Sequence, residues 1–482
     1  MRLPLACAAL GALAGCGGAD APAAFEHYPA VERAIARLEA EVAAQERAEP
    51  PPAARELERE HVPGLVRMLA HSSGRARELP LEEVRALGDA ATPTLAALAA
   101  GAETAPEERA AACELLGEVA SQLATSHLLE LCEKAPEAWL RAHAAFQLGR
   151  VGRDHVLPRV LRRLKYEADQ EVVVWLASAA AAYRNYAGLE ALWMVRNAPR
   201  TTDLSALAEE RLAAIAQEAG VADPDEHYQL WFGGDPEGRL PAAEPSARLR
   251  LEAWRRIRDL RDFQLRGVDD GRFVLSRLGT WIVDPLCEAL HDDDRYVRVH
   301  AAQCLERMGP RALAAGPTLL TALSDPTLAI DAAAALGGVA YPGAEPALRE
   351  LLTSSRDHEL RVAAARALGR LGLAVSIPAL RAVVEGEEPL DLRQAGATSM
   401  VQAGAGDEVA LRLLAMMSDP AADRPAAEAA LEQWLSGRED AVSRAVFERW
   451  LALAPPPGII PTAEEVEQRL ARRAELLRAI PR

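Results

Sequence analysis

The sequence predicts an all-α protein, an α-solenoid of stacked antiparallel helix pairs repeating about every 32 residues. Three observations predict it. Half of the 482 residues are hydrophobic while only 4% are aromatic, and the apolar share is mostly Ala and Leu, which favour helix over sheet. The chain is too long for one compact core, which stops growing near roughly 250–300 residues. The third is self-similarity along the chain.

When Glu108, Leu140, Val297, Leu360 and Leu392 are aligned as unit starts, the next position reads Arg109, Arg141, Arg298, Arg361 and Arg393. Eight positions after the start stand Leu116, Leu148, Leu305, Leu368 and Met400; twelve after it stand Ala120, Gly152, Gly309, Gly372 and Gly404. Weaker units begin at 172 and 328, and degenerate copies end at Leu87-Gly88 and Leu278-Gly279. Within a unit, Leu360, Ala363, Ala364, Ala367, Leu368 and Leu371 fall on one face of a first helix. The Gly after it permits the left-handed backbone that lets the chain turn back. A second helix follows, with Pro158, Pro285, Pro346 and Pro378 tolerated in its first turn. Turns at Asp292-Asp293-Asp294, Ser324-Asp325-Pro326, Asp357 and Ser418-Asp419-Pro420 supply N-caps for the next first helix. Such a pair cannot bury its apolar face alone, whereas stacked neighbours make a continuous core.

Acidic turn, then Val-Arg-x-x-Ala-Ala-x-x-Leu-Gly-x-x-Gly: this pattern, clearest at Asp357–Gly372, resembles HEAT repeats of the short bacterial type also found in bilin lyases. The resemblance covers roughly 61–190 and 267–435. It implies a solenoid and packing roles for the recurring residues. The recurrent Arg is expected to bond acidic or carbonyl groups at the preceding turn.

The remaining segments divide the chain further. Residues 1–15 read as a lipoprotein signal peptide: Arg2, then an apolar stretch too short to span a bilayer. Leu13-Ala14-Gly15-Cys16 resembles the bacterial lipobox, which implies cleavage before Cys16 and lipidation of its thiol. Residues 16–60 are then a tether with a charged spacer helix carrying Val31, Ile35, Leu38 and Val42, stopped by Pro50-Pro51-Pro52. Between the arrays, 191–266 is an irregular helical insertion with Tyr228, Trp231, Phe232 and Trp254, expected to pack as a local plug. Residues 436–482 are expected to form a C-terminal helical cap.

The expected protein is exported and membrane-anchored, facing the periplasm or the cell surface. With 71 acidic against 54 basic side chains, the net charge of −17 opposes a nucleic-acid binder. No Gly-rich phosphate loop, Gly-x-Ser-x-Gly elbow or Cys-x-x-Cys occurs, nor a His-Glu-x-x-His that would set two imidazoles on one helical face for zinc. Only His358-Glu359 gives a His-Glu dipeptide, against the several used by deoxyhypusine hydroxylase, a HEAT-repeat di-iron enzyme. No catalytic residue, metal site, cofactor or small-molecule substrate is therefore expected. His143 and His300, each three positions into a unit, are expected to lodge between repeats.

One basic run, Arg159, Arg162, Arg163 and Lys165, lies on a second helix and is a candidate surface for an acidic protein partner or a lipid headgroup. Cys113 with Cys132, and Cys287 with Cys304, are candidate disulfides in an oxidising compartment. The leading expectation is a non-enzymatic scaffold holding a protein partner on its solenoid surface. The alternative is an enzyme subunit or chromophore-lyase-like protein using the concave face as a ligand cleft.

Overall fold

A computed structural model describes residues 30–48, 61–198, 202–233, 244–261 and 265–404, and among these no strand occurs. The leading helix α1 spans Ala30–Ala48. The first array follows as α2 (Val62–His71), α3 (Glu78–Leu87), α4 (Thr92–Ala100), α5 (Pro106–Val119), α6 (Gln122–Lys134), α7 (Ala138–Val151), α8 (Leu157–Tyr166), α9 (Gln170–Ala182) and α10 (Tyr186–Arg196). Then come α11 (Thr202–Glu218), α12 (Pro224–Gly233) and α13 (Ala247–Asp259). The second array is α14 (Leu265–Leu275), α15 (Val283–Ala289), α16 (Arg295–Met308), α17 (Gly316–Ala322), α18 (Ala329–Gly338), α19 (Glu345–Ser354), α20 (His358–Leu371), α21 (Ile377–Glu385) and α22 (Leu390–Gln402).

The first helices stack in series, α5 on α7 on α9, and α14 on α16 on α18 on α20 on α22. Each also packs on the second helix before it, as α6 on α7, α8 on α9, α19 on α20 and α21 on α22. This is the solenoid that the period demands. Asp169, Asp294 and Asp357 cap α9, α16 and α20 by accepting N–H bonds from Val172, Tyr296 and Leu360 at 3.2, 2.8 and 3.2 Å. Pro158, Pro346 and Pro378 stand second in α8, α19 and α21, where no helical hydrogen bond is lost.

The column twelve after each unit start has positive φ throughout. Gly152, Gly309, Gly372 and Gly404 lie between 65° and 80°, and Ala120, Arg184 and Ala340 at 50°, 54° and 55°. The turn between first and second helix thus requires a left-handed residue whichever side chain stands there, and the latter three adopt it against the steric cost of a Cβ. Another column lets first helices approach closely. A Cβ on Gly337 would lie 2.7 Å from Ala367 Cα, so α18 and α20 touch backbone to backbone there.

The recurrent Arg ties each turn to the next. Arg109 donates from Nε to Ala99 O at 3.1 Å and forks onto Glu137 at 2.8 and 3.2 Å. Arg141 bonds the carbonyls of Ala135 and Pro136 and forks onto Glu167 at 3.0 and 3.1 Å. Arg361 bonds Leu352 O and forks onto Glu388 at 2.9 and 2.7 Å. Carbonyls at the preceding turn are bonded as expected, but the acid belongs to the following turn. The result is a ladder across repeats, with bidentate geometry that suits a guanidinium.

The arrays meet at a joint that the sequence reading did not contain. Helix α9 continues into α10, α11 and α12, around a separate core that includes Leu189, Leu192, Val195, Ala208 and Leu212. The Trp193 and Tyr228 rings stack there, with centroids 4.0 Å apart. Helix α13 instead packs on α8, α15 and α16, and α14 packs on α8. Helix α1, expected to be a spacer, is docked on α13 and α15, with Val31, Ala34, Ile35 and Leu38 buried. Glu32 pairs with Arg261 at 3.1 Å, Glu39 with Arg255 at 3.0 Å and Glu41 with Arg250 at 2.7 Å. Partner numbers fall as those of α1 rise, so the helices are antiparallel. They form a pair like those of the repeats, from segments some two hundred residues apart in sequence.

Candidate functional site

Two of the expected sites are structural. Arg159 pairs with Glu133, Arg162 with Asp270 at 3.1 Å, and Arg163 with Glu167. Lys165 bonds Asp269 and Asp270, both at 3.0 Å. Lys165 loses some basicity to burial, but hydrogen bonds to Tyr166, Asp270 and Asp269 raise its pKa overall. Asp269 and Asp270 stand on α14, so Arg162 and Lys165 fasten α14 to α8, while Arg159 and Arg163 are paired within the first array; all four bases of the run are engaged within the chain.

All four internal cysteines are free thiols, and the expected Cys113–Cys132 and Cys287–Cys304 bridges are not formed. Burial pushes the thiols of Cys113, Cys132 and Cys304 up to about 12, so they sit protonated in the core as small apolar fillers. Cys16, the signal segment and the C-terminal cap lie outside the described residues. Among the described residues no group of three metal-ligating side chains converges, and no helix is long and apolar enough to cross a membrane.

A candidate binding site opens along the first helices, not the second. A cleft of about 650 Å³ lies where α14, α16 and α18 meet the end of α13, with Val268, Val299, Ile330 and Leu260 among its apolar walls. Its volume falls within the range of natural ligand pockets, roughly 300–1,000 Å³. Inside it one polar chain is fully directed. Gln303 donates from Nε2 to Asp331 Oδ1 at 2.8 Å, which leaves its Oε1 as an acceptor. Arg272 donates to that oxygen, and His300 Nδ1 lies 3.1 Å from it. The Nδ1 atom therefore carries the ring proton, and Nε2 is left as a lone-pair acceptor. Burial holds the His300 pKa below its ordinary 6.5, so the ring is neutral. His300 thus lines an opening instead of being lodged between repeats. His143, its counterpart in the first array, has a buried Nε2 without a hydrogen-bond partner.

A second groove of about 750 Å³ runs along the C-terminal ends of α16, α18, α20 and α22. Glu306 on α16 reaches over α18 to Arg370 on α20. It can do so because α18 ends in Gly337-Gly338: a Cβ on Gly338 would lie 2.7 Å from Glu306 Cγ.

Residues 316–401, covering α17 to most of α22, match the family model for HEAT repeats. No curated protein matches the sequence significantly. Among solved structures, human deoxyhypusine hydroxylase is 18% identical with a TM-score of 0.23, the match covering 72% of this chain and 97% of that one. The CpcE–CpcF complex of phycocyanin lyase from a Nostoc species is 18% identical with a TM-score of 0.30, over 62% of this chain and 94% of that one. Kap121p is 11% identical with a TM-score of 0.31, over 93% of this chain and 52% of that one. All three likenesses are distant, and they say nothing of activity.

Proposed function

We propose that the protein is a non-enzymatic HEAT-repeat scaffold that holds a polypeptide partner in the cleft between α14, α16 and α18. The observation that carries this reading is the cleft itself, with apolar walls, one directed polar chain and a floor of stacked helices. A preformed surface of this kind loses little conformational entropy on association. The Leu13-Ala14-Gly15-Cys16 motif supports anchoring by lipid on Cys16 in a bacterial membrane, with the solenoid facing the periplasm or the cell surface.

Photocrosslinking tests the partner. Benzoylphenylalanine placed at Val299 or Ile330 of the membrane-borne full chain should yield a covalent protein adduct that the same probe on an exposed second-helix position does not. No adduct from cleft or groove positions would overturn the scaffold reading. Anchoring is tested separately: Cys16→Ala, or globomycin, should leave unprocessed precursor, and normal processing would remove the lipid claim.

A further inference from the structure

We infer that the cleft reads an extended polypeptide segment by charge order: an acidic side chain over Arg295, an apolar one between Val299 and Ile330, and a basic one at Glu359. The inference rests on the scaffold reading and adds the chemistry of recognition. Of the ionisable groups lining the cleft, four are engaged within the chain. Arg261 holds Glu32, Arg272 holds Gln303, Asp331 accepts from Gln303, and His300 bonds Gln303. Arg295 and Glu359 differ. Both are exposed, and neither enters an ion pair or hydrogen bond among the described residues; Arg295 only overlies the Tyr296 ring, 5.4 Å from its centroid.

These two charges bracket the cleft, Arg295 opening α16 and Glu359 opening α20, with α18 between them. Two helix spacings of about 8–10 Å each separate such positions, roughly 16–20 Å in all. An extended chain rises about 3.3 Å per residue, so an acid and a base five or six residues apart span that length. A helix would need about twelve residues for the same reach, at 1.5 Å each. On α16, five residues after Arg295, His300 Nε2 offers an acceptor with no proton of its own, the complement of a backbone N–H in an extended segment.

The probe is the labelled peptide acetyl-Glu-Ala-Ala-Leu-Ala-Lys-amide, with Glu-Glu and Lys-Lys versions as controls, titrated by fluorescence anisotropy against the full chain. The mixed peptide should bind more tightly than either control by roughly twofold to fivefold, the yield of one exposed ion pair. Arg295→Glu should reverse the order and favour the Lys-Lys peptide; Glu359→Lys should favour Glu-Glu. Both positions are exposed, so the variants should fold, and unchanged circular dichroism melts check that. Ile330→Ala should weaken all three peptides alike. If affinities do not follow rim charge, or no peptide binds, the charge-order inference falls. An adduct at Val299 would then still stand for the scaffold reading, so the two failures are distinguishable.

Discussion

Asp292 accepts the backbone N–H of Val31 at 3.4 Å across 261 residues of sequence, and so acts as a cap in trans for α1. Its carboxylate is buried, bonds Asp294 N at 2.9 Å and faces Arg261 at 3.7 Å. Removing it leaves orphan donors at a helix start, and leaves Arg261 with Glu32 alone. Asp292→Ala should destabilise the protein by about 1–2 kcal/mol. Limited proteolysis should then release a fragment containing α1 sooner than in wild type, whereas Asp292→Asn, which keeps an acceptor, should show a smaller change.

The left-handed column gives a prediction of opposite sign at two places. Ala340 adopts φ of 55° where a Cβ is unwelcome, so Ala340→Gly should stabilise by about 0.5–1 kcal/mol after the entropy of the freer unfolded chain is subtracted. At Gly372, φ is 65°, and Gly372→Ala should cost about 0.5–1 kcal/mol after the same entropy term is subtracted. Urea midpoints at constant m-value measure both. A loss on Ala340→Gly would show that the turn tolerates Ala better than the backbone angle implies.

The ladder predicts a pH dependence. The Arg361 fork holds the Glu388 carboxyl below its ordinary 4.5. A carboxyl with a depressed folded pKa binds protons more readily when unfolded. Its contribution is therefore present above about pH 4.5 and fades as pH falls through the lower folded value. Arg361→Gln should lower stability at neutral pH by about 1 kcal/mol and flatten the acid limb of the stability curve. A curve from pH 3 to 6 parallel to wild type would show that the fork contributes nothing.

Thiol labelling separates core filler from reactive cysteine. Cys287 is half-buried, whereas Cys113, Cys132 and Cys304 are fully buried with thiols near 12. Iodoacetamide at pH 8 on the native chain, read peptide by peptide by mass spectrometry, should modify Cys287 well before the other three. Melting temperatures with and without reductant should agree; a drop on reduction would restore the disulfides.

What the sequence made legible is local and periodic. The left-handed column, the caps at Asp294 and Asp357 and the prolines Pro158, Pro346 and Pro378 are decided within one unit by backbone sterics and helix ends, so they could be read from the repeat. Asp325, expected to cap α18, instead accepts from Thr327, and α18 starts after Leu328 without a side-chain cap. The partner of Arg361 was harder, because the carbonyl it bonds precedes it and the acid follows it in the next turn. The basic run of α8 looked like an open surface because Asp270, its counterion, stands 108 residues beyond Arg162. Helix α1 showed its apolar stripe, but a stripe reports that a face is buried and not against what. The cleft was invisible for the same reason: His300, Gln303 and Asp331 are ordinary residues until stacking brings them together.

The pairing of α1 with α13 also sets an order of assembly. Among the described helices α1 is made first, yet it is not satisfied until the middle of the chain is made, since Asp292 emerges 261 residues after Val31. At roughly 5–20 residues per second of synthesis, α1 waits some tens of seconds with its apolar stripe uncovered. During that interval it is a natural target for holding chaperones, and its docking reports that the joint between the arrays has closed.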